Sequence, residues 1–354
     1  MDTYVRLPLR TERGRRIFYN QKIIMPNKEK LKRLLQDDIY MHSKSFLESK
    51  MVIGDSQTIE QKVKSDSSFS YDKKQDLINE YNSYAYILNN PNINRDTLRQ
   101  LYNIRSEGIL DSYSMNHFGK YYRKGKVFIV KKRFDFIEAM DYKKVEDYME
   151  RLIEYINIDE EDSEIDEFIK SQIIHFYLYY VHPYFDLNKR TSRMLSTWHL
   201  VRKEAYPYIV FEKALLFDLT SYYKFLFEAR KGNMTNLLNH IIGQTEIQLE
   251  RESVIHSIEK NINLSKEEKL IIELISIKQI VTLEDIFKQL QRLNIHIIKS
   301  QFIEKYIYPL IEKDILLTVG KTQKSLTKKI PNYVLMLNRE LIDIDMPHKL
   351  LKRK

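Results

Sequence analysis

His182-Pro183-Tyr184-Phe185-Asp186-Leu187-Asn188-Lys189-Arg190-Thr191-Ser192-Arg193 joins two runs that are apolar almost all round, IDEFIKSQIIHFYLYYV at 165–181 and TSRMLSTWHLV at 191–201. A helix without a polar face belongs inside a bundle, so these two runs form its centre and the stretch between them is a loop. Pro183 ends the first helix and leaves His182 at its C-terminal end. The dipole there favours an imidazolium, so a base at this position needs neighbours that keep the ring neutral. Arg190 and Arg193 are three apart and share a face of the second helix. The N-terminus of that helix adds free amides and a positive dipole end. Together with Lys189, these groups suit a triphosphate. Asp186 can hold Mg²⁺ alongside phosphate oxygens, and His182 can take the proton of an attacking hydroxyl.

The surrounding chain is long, with 354 residues that suggest about two to three domains. It has no cysteine, which excludes disulfide scaffolds, thiolate nucleophiles and Cys-ligated metal sites, and points to a reducing, cytoplasmic setting. Only 8 Gly and 8 Pro argue for long helices over a turn-rich sandwich. No apolar run approaches a membrane span. The opening MDTYVRLPLRTERGRR has no apolar stretch behind its charges and does not read as a secretory signal.

Residues 1–30 read as irregular, because Pro8 and Pro26 should break a helix. Apolar spacing predicts helices from Pro26 to about Val52, over 74–90, 95–110 and 142–156, and across 219–251. Tyr121–Val130 carries β-formers on both sides of Lys124-Gly125-Lys126 and predicts a short hairpin. The acidic stretch Asp159–Glu164 reads as a solvated linker or a first helical turn. Beyond Asn263, three helical patterns open at or near Ser or Thr. Two strand-like runs follow, Ile315–Val319 and Tyr333–Leu337, and the order is that of a winged helix.

The central loop resembles the signature of the Fic family, H-x-F-x-(D/E)-(G/A)-N-(G/K)-R-x-x-R. His182, Asp186, Asn188, Arg190 and Arg193 fall on its invariant positions, and Tyr184 stands for the Phe. The resemblance runs over about residues 30–250. It implies a mostly α fold, a Fic-type helical bundle with a small β-hairpin flap, followed by the winged-helix (α+β) domain. The expected organisation is 1–105 as an N-terminal helical region, 106–252 as the Fic core with a flap near 119–132, and 263–354 as the winged helix. The activity implied is adenylyl transfer from ATP, with Mg²⁺, to a Ser, Thr or Tyr hydroxyl of a target protein. By the same resemblance His182 is the base and Asp186 the metal ligand. Asn188 and the loop amides, including that of Leu187, would bind phosphate, with Lys189, Arg190 and Arg193 around them. Tyr222-Tyr223 matches a recurrent pair downstream of the signature.

Two positions depart from the usual pattern. Leu187 fills a slot usually given to Gly or Ala, and is strained if the loop needs φ > 0 there. Lys189 is what the death-on-curing toxin branch carries, and that branch resembles a kinase that transfers the γ-phosphate. Upstream, Ser56-Gln57-Thr58-Ile59-Glu60-Gln61 resembles the family's inhibitory helix (about 54–62), in which Glu60 would pair with Arg193.

Residues 263–354 hold most of the positive excess, with lysines at 321, 324, 328 and 329 in the presumed wing. DNA is therefore one candidate partner, read by a helix over 299–313. Appended winged helices also serve as dimer or target-docking modules, which makes a homodimer the other. A competing functional class is a nucleotide-sensing DNA-binding regulator that has lost catalysis through Leu187. His175, His199 and His240 read as packed core or surface histidines rather than ligands, and no spacing suggests structural zinc.

Overall fold

The computed structural model describes residues 4–34, 71–111, 114, 118–132, 135–158, 164–205, 209–276, 280–292, 298–323, 326 and 332–341. Ser56 and Glu60, most of the helix expected to run to Val52, and Lys324, Lys328 and Lys329 lie outside them. The chain divides into two units, Met1–Glu212 with Leu219–Gly243, and Lys213–Asp218 with Gln244–Lys354. Among the described residues no helix is long and apolar enough to cross a membrane.

The first unit opens on a hairpin where the sequence predicted irregular chain. β1 (Tyr4–Arg10) pairs antiparallel with β2 (Arg16–Asn20). Leu7 and Leu9 are buried while Arg6 and Pro8 are exposed, the alternation of a half-buried strand. Pro8 is tolerated because it sits where the register shifts between Arg6 and Arg10, and a bulge asks for no ladder N–H. Pro26 likewise lies inside helix α1 (Gln21–Leu34), where sequence reading placed a helix start. The carbonyl its ring leaves without a donor is that of exposed Lys22, which water can reach.

Helices α2 (Tyr71–Asn89) and α3 (Arg95–Ser106) follow, α3 entered through a capping box between Asn94 and Thr97. The second hairpin is displaced from its predicted place. β3 (Phe128–Lys132) pairs with β4 (Asp135–Glu138), with Ile129 opposite Ile137 and Val130 opposite Phe136. Tyr121 and Tyr122 therefore precede the hairpin rather than form its first strand, and Lys124-Gly125-Lys126 lies at its root. Period-2 patterning marks strands but not which run pairs with which.

Helix α4 (Tyr142–Asn157) leads to the centre, α5 (Glu164–Val181) and α6 (Asn188–Arg202). Every residue of α5 from Glu167 to Val181 is buried, as its apolar circumference predicted. Two of its three tyrosines satisfy their hydroxyls on the first hairpin. Tyr177 donates to the Arg10 carbonyl at 3.0 Å, and Tyr180 accepts from the Glu12 amide at 2.7 Å. The helix predicted over 219–251 is two, α8 (Leu219–Ala229) and α9 (Thr235–Glu259), with α7 (Phe211–Leu216) ahead of them. Gly232 makes the break at φ 108, and its carbonyl accepts from the Phe18 amide at 2.9 Å.

In the second unit α10 (Lys266–Ile275) begins at a capping box, with the Ser265 hydroxyl accepting from the Glu268 amide at 3.2 Å. β5 (Val281–Thr282), α11 (Leu283–Arg292) and α12 (Lys299–Phe302) follow, with a π turn at Ile303–Ile307 leading into α13 (Tyr308–Glu312). β6 (Leu316–Lys321) and β7 (Tyr333–Leu337) complete an antiparallel sheet of order β5-β7-β6. The two long strands were expected, whereas the two-residue β5 carries too little sequence to signal itself. The core here includes Ile271, Leu283, Phe302, Leu310 and Leu335.

Candidate active site

The loop 182–187 and the start of α6 line a cavity of about 500 Å³, which also takes in Ile109, Phe128–Val130 and Tyr223. His182, Asp186, Leu187, Asn188, Lys189, Arg190 and Arg193, all expected at the site, border it together. Such a volume lies within the ordinary range of small-ligand pockets.

His182 stops α5 in the left-handed region at φ 53, its amide still donating to the Leu178 carbonyl at 2.9 Å. Nδ1 lies 3.2 Å from the carbonyl oxygen of Tyr179. A carbonyl only accepts, so Nδ1 carries the proton and the lone pair is left on Nε2. The ring's pKa is pushed down to about 3, mainly by burial. The Tyr179 bond acts the other way, and the charges of Arg123, Arg230 and Lys189 add to the depression. The helix C-terminus would favour an imidazolium, but burial and the three cations outweigh it. The imidazole is neutral.

Leu187 adopts φ 60, ψ 10, the conformation that Gly takes without strain. A left-handed non-glycine residue costs about 1–2 kcal/mol. Its side chain is buried, which is worth about 1.5–3 kcal/mol for a leucine. Burial thus offsets the strain, and the usual Gly or Ala would gain little here. The Leu187 amide donates to Asp186 Oδ1 at 2.6 Å, so it is turned to this carboxylate and not to the phosphate expected of it. The first-turn amides of Asn188, Lys189 and Arg190 have no side-chain cap.

Asn188 does something sequence reading did not foresee. Its Oδ1 accepts from the Tyr184 amide at 3.0 Å and its Nδ2 donates to the Tyr184 carbonyl at 2.9 Å. The side chain, expected on a phosphate, is therefore consumed in closing the loop upon itself. Arg190 also has a protein partner, Asp76 on α2, at 2.7 Å. Buried Arg105 grips the same carboxylate at 3.3 Å and the Asp76 carbonyl at 3.1 Å. Neither Asp76 nor Arg105 carried a sequence signal. Lys189 lies over the Tyr223 ring, 5.1 Å from its centroid. Burial opposes the charge on Arg193, yet its neighbours, Tyr222 and Glu212 first, raise its pKa overall. Among the described residues it makes no ion pair.

Beneath the loop, Tyr184 stacks on Tyr102 at 3.7 Å with the rings 10° apart. The Tyr184 hydroxyl is buried with no hydrogen-bond partner. An unsatisfied buried group of this kind costs about 1–3 kcal/mol. Tyr184→Phe is therefore expected to raise unfolding stability by about 1 kcal/mol, read as a higher urea midpoint. A lower midpoint would mean that the hydroxyl is bonded after all. Of the histidines expected to be packed core or surface residues, His175 is fully buried, with Nε2 2.5 Å from the Tyr222 hydroxyl, and His199 is buried with Nε2 2.6 Å from Glu167.

As to a metal, no group of three or more His, Asp or Glu that could hold one exists among the described residues. Asp186 is exposed at the cavity, and among the described residues its Oδ2 makes no hydrogen bond, which leaves one carboxylate oxygen beside several cationic groups. That donor set fits Mg²⁺ that arrives with a polyphosphate, since the ion keeps waters and needs few protein oxygens.

Comparison with known proteins bears on the fold and on one stretch of the chain. No curated protein matches the chain. Among solved structures, a Fic family protein from Desulfovibrio desulfuricans G20 is similar at 15% identity and a TM-score of 0.50, over 89% of this chain and 96% of that one. Fic-1 from C. elegans is similar at 15% identity and a TM-score of 0.46, over 68% of this chain and 73% of that one. The first likeness bears on fold alone, and the fold it supports is the helical one expected. The stretch from Asn92 through α3, the second hairpin, α5 and the loop 182–187 to Leu200 is similar to the Fic/DOC family, whose model matches residues 92–200.

Proposed function

We propose that the first unit is a protein adenylyltransferase, moving AMP from ATP to a hydroxyl side chain of a target protein. The observation that carries this reading is the neutral His182 imidazole with its Nε2 lone pair free, bordering one cavity with Asp186, Lys189 and Arg193. The target's hydroxyl oxygen attacks the α-phosphorus and its proton passes to His182 Nε2. The bond from the α-phosphorus to the bridging oxygen breaks, and pyrophosphate leaves. Lys189 and Arg193 supply fixed positive charge where the phosphates lie. Asp186 would hold Mg²⁺, which when bound neutralises charge on the phosphate oxygens. No strand pairs with the second edge of β3 among the described residues, and Phe128, Val130 and Phe136 are exposed on the hairpin. An extended target segment can therefore add to it as a further strand.

A lysine at 189, as in the death-on-curing toxin branch that the loop also resembles, supports a second reading, transfer of the γ-phosphate, and Lys189 borders the same cavity. We further propose that Glu60 restrains the site by pairing with Arg193, which has no ion-pair partner among the described residues. For the second unit we propose a winged-helix module. Helices α10 and α11, the continuous run from α12 through α13, and strands β5-β7-β6 support this, and the exposed Gln301, Glu304, Lys305 and Tyr308 suit protein docking better than a phosphate backbone.

Glu60→Gly, incubated with Mg²⁺ and ATP labelled at the α or the γ phosphate, tests the reading. Retained α label on the protein, at least several-fold above the unsubstituted chain, is the expected result. Retained γ label would assign a kinase-like reaction, and no label at all would leave a nucleotide sensor.

A further inference from the structure

Arg123 lies between the second hairpin and the catalytic loop and is 2% exposed. Its Nε donates to the His182 carbonyl at 2.7 Å and its Nη1 to the Gly125 carbonyl at 2.6 Å. Nη2 donates to the Met140 carbonyl, and the Arg123 amide donates to the Pro183 carbonyl at 2.9 Å. Gly125 precedes β3 and Met140 follows β4, so one planar group holds both roots of the hairpin. The adjoining Ala139 amide donates to the Val127 carbonyl at 2.9 Å and closes that root. On the other side, the two carbonyls held are those of His182 and Pro183, at the point where His182 takes its left-handed conformation.

Among the described residues no carboxylate forms an ion pair with this guanidinium. Asp141, Glu12 and Glu138 act on it only from farther off, and a buried cation whose hydrogen bonds all go to carbonyls is an expensive way to fill space, which an apolar side chain would do better. The planar fork of an arginine is what reaches three carbonyls at once, and a lysine ammonium on its flexible stem cannot reproduce it.

We propose that Arg123 is a positioning residue that locks the root of the hairpin to the main chain of His182. A strand added to β3 and the imidazole that receives its proton are thereby held in one register. The kinetic consequence rests on the adenylyl-transfer reading; the lock itself does not.

The test uses the full chain carrying Glu60→Gly, with and without Arg123→Lys or Arg123→Met. Self-labelling from α-labelled ATP gives the rate, and amide hydrogen exchange follows residues 119–140 and 178–186. Both Arg123 variants are expected to lose about 10²-fold in maximal rate while the KM for ATP stays within about threefold. Their hairpin and loop amides should exchange faster together, with the interior of α5 unchanged. A lysine variant with full rate and unaltered exchange would overturn the proposal, as would a KM for ATP that rises in step with the lost rate. Should the variants not fold, the unsubstituted chain still decides. The Ala139 and Arg123 amides must then open at one common rate, and independent opening overturns the lock. If the chain transfers no label at all, only the adenylyl-transfer reading falls, and exchange still judges the lock.

Discussion

His182→Ala is expected to lower label transfer from α-labelled ATP by about 10²- to 10⁴-fold, the usual worth of a general base. The KM for ATP should change by no more than a few-fold, because the imidazole acts on the incoming hydroxyl and not on the nucleotide. Single-turnover labelling in the Glu60→Gly background measures both. A variant that keeps more than a tenth of the rate would remove His182 from proton transfer. The same ring sets a pH dependence. With its pKa pushed down to about 3, His182 stays neutral through the neutral range, so the rate should show no inflection near pH 6.5. An acid limb centred there would mean that the ring is solvated. Stability follows the linked direction. His175 is also pushed down to about 3, mainly by burial. Both histidines take a proton in the unfolded chain before they do in the folded one. Their contribution is therefore full above about pH 6.5 and is lost progressively as pH falls from there towards 3. Urea midpoints at pH 7.5, 6.0 and 5.0 should fall in that order.

Asn188→Ala is expected to be the most damaging change to the loop. It removes both bonds to the Tyr184 main chain, at 3.0 and 2.9 Å, in a residue that is fully buried. Each group left without a partner costs about 1–3 kcal/mol, so a loss of more than 2 kcal/mol in unfolding stability is expected. The loop would also lose the brace that holds Leu187 in its left-handed conformation, and transfer should fall by about 10²-fold through misplacement of Asp186 and the first-turn amides. Asn188→Asp keeps the bond from the Tyr184 amide and sets a carboxylate against the Tyr184 carbonyl, so it should fall between alanine and the native residue. A stability change below 0.5 kcal/mol for Asn188→Ala would show that the loop holds its shape by other means.

Much of this was legible in the chain. The two apolar runs around residues 182–193 announced buried helices because no polar face was left to solvate. His182, Asp186, Lys189 and Arg193 could be placed at one site because only a few residues separate them, and a helix end brings such neighbours together. The strain at Leu187 was foreseeable on the same local ground. Proline misled twice, at Pro8 and Pro26, because its usual meaning as a breaker is cancelled by a bulge in one case and a solvated carbonyl in the other. The second hairpin was recognised but misregistered, since strand periodicity does not name a partner.

Local sequence, then, determined the central helices, the loop between them and the residue types gathered there, because those features depend on neighbours a few positions apart. Folding alone decided what those residues touch. Asp76 meets Arg190 across 114 positions of chain, and Arg123 reaches the His182 carbonyl across 59. Both contacts lie in the first unit and exist only once its helices pack. The neutrality of His182 has the same origin, since burial comes from every element around the ring and is written in no single stretch of the sequence.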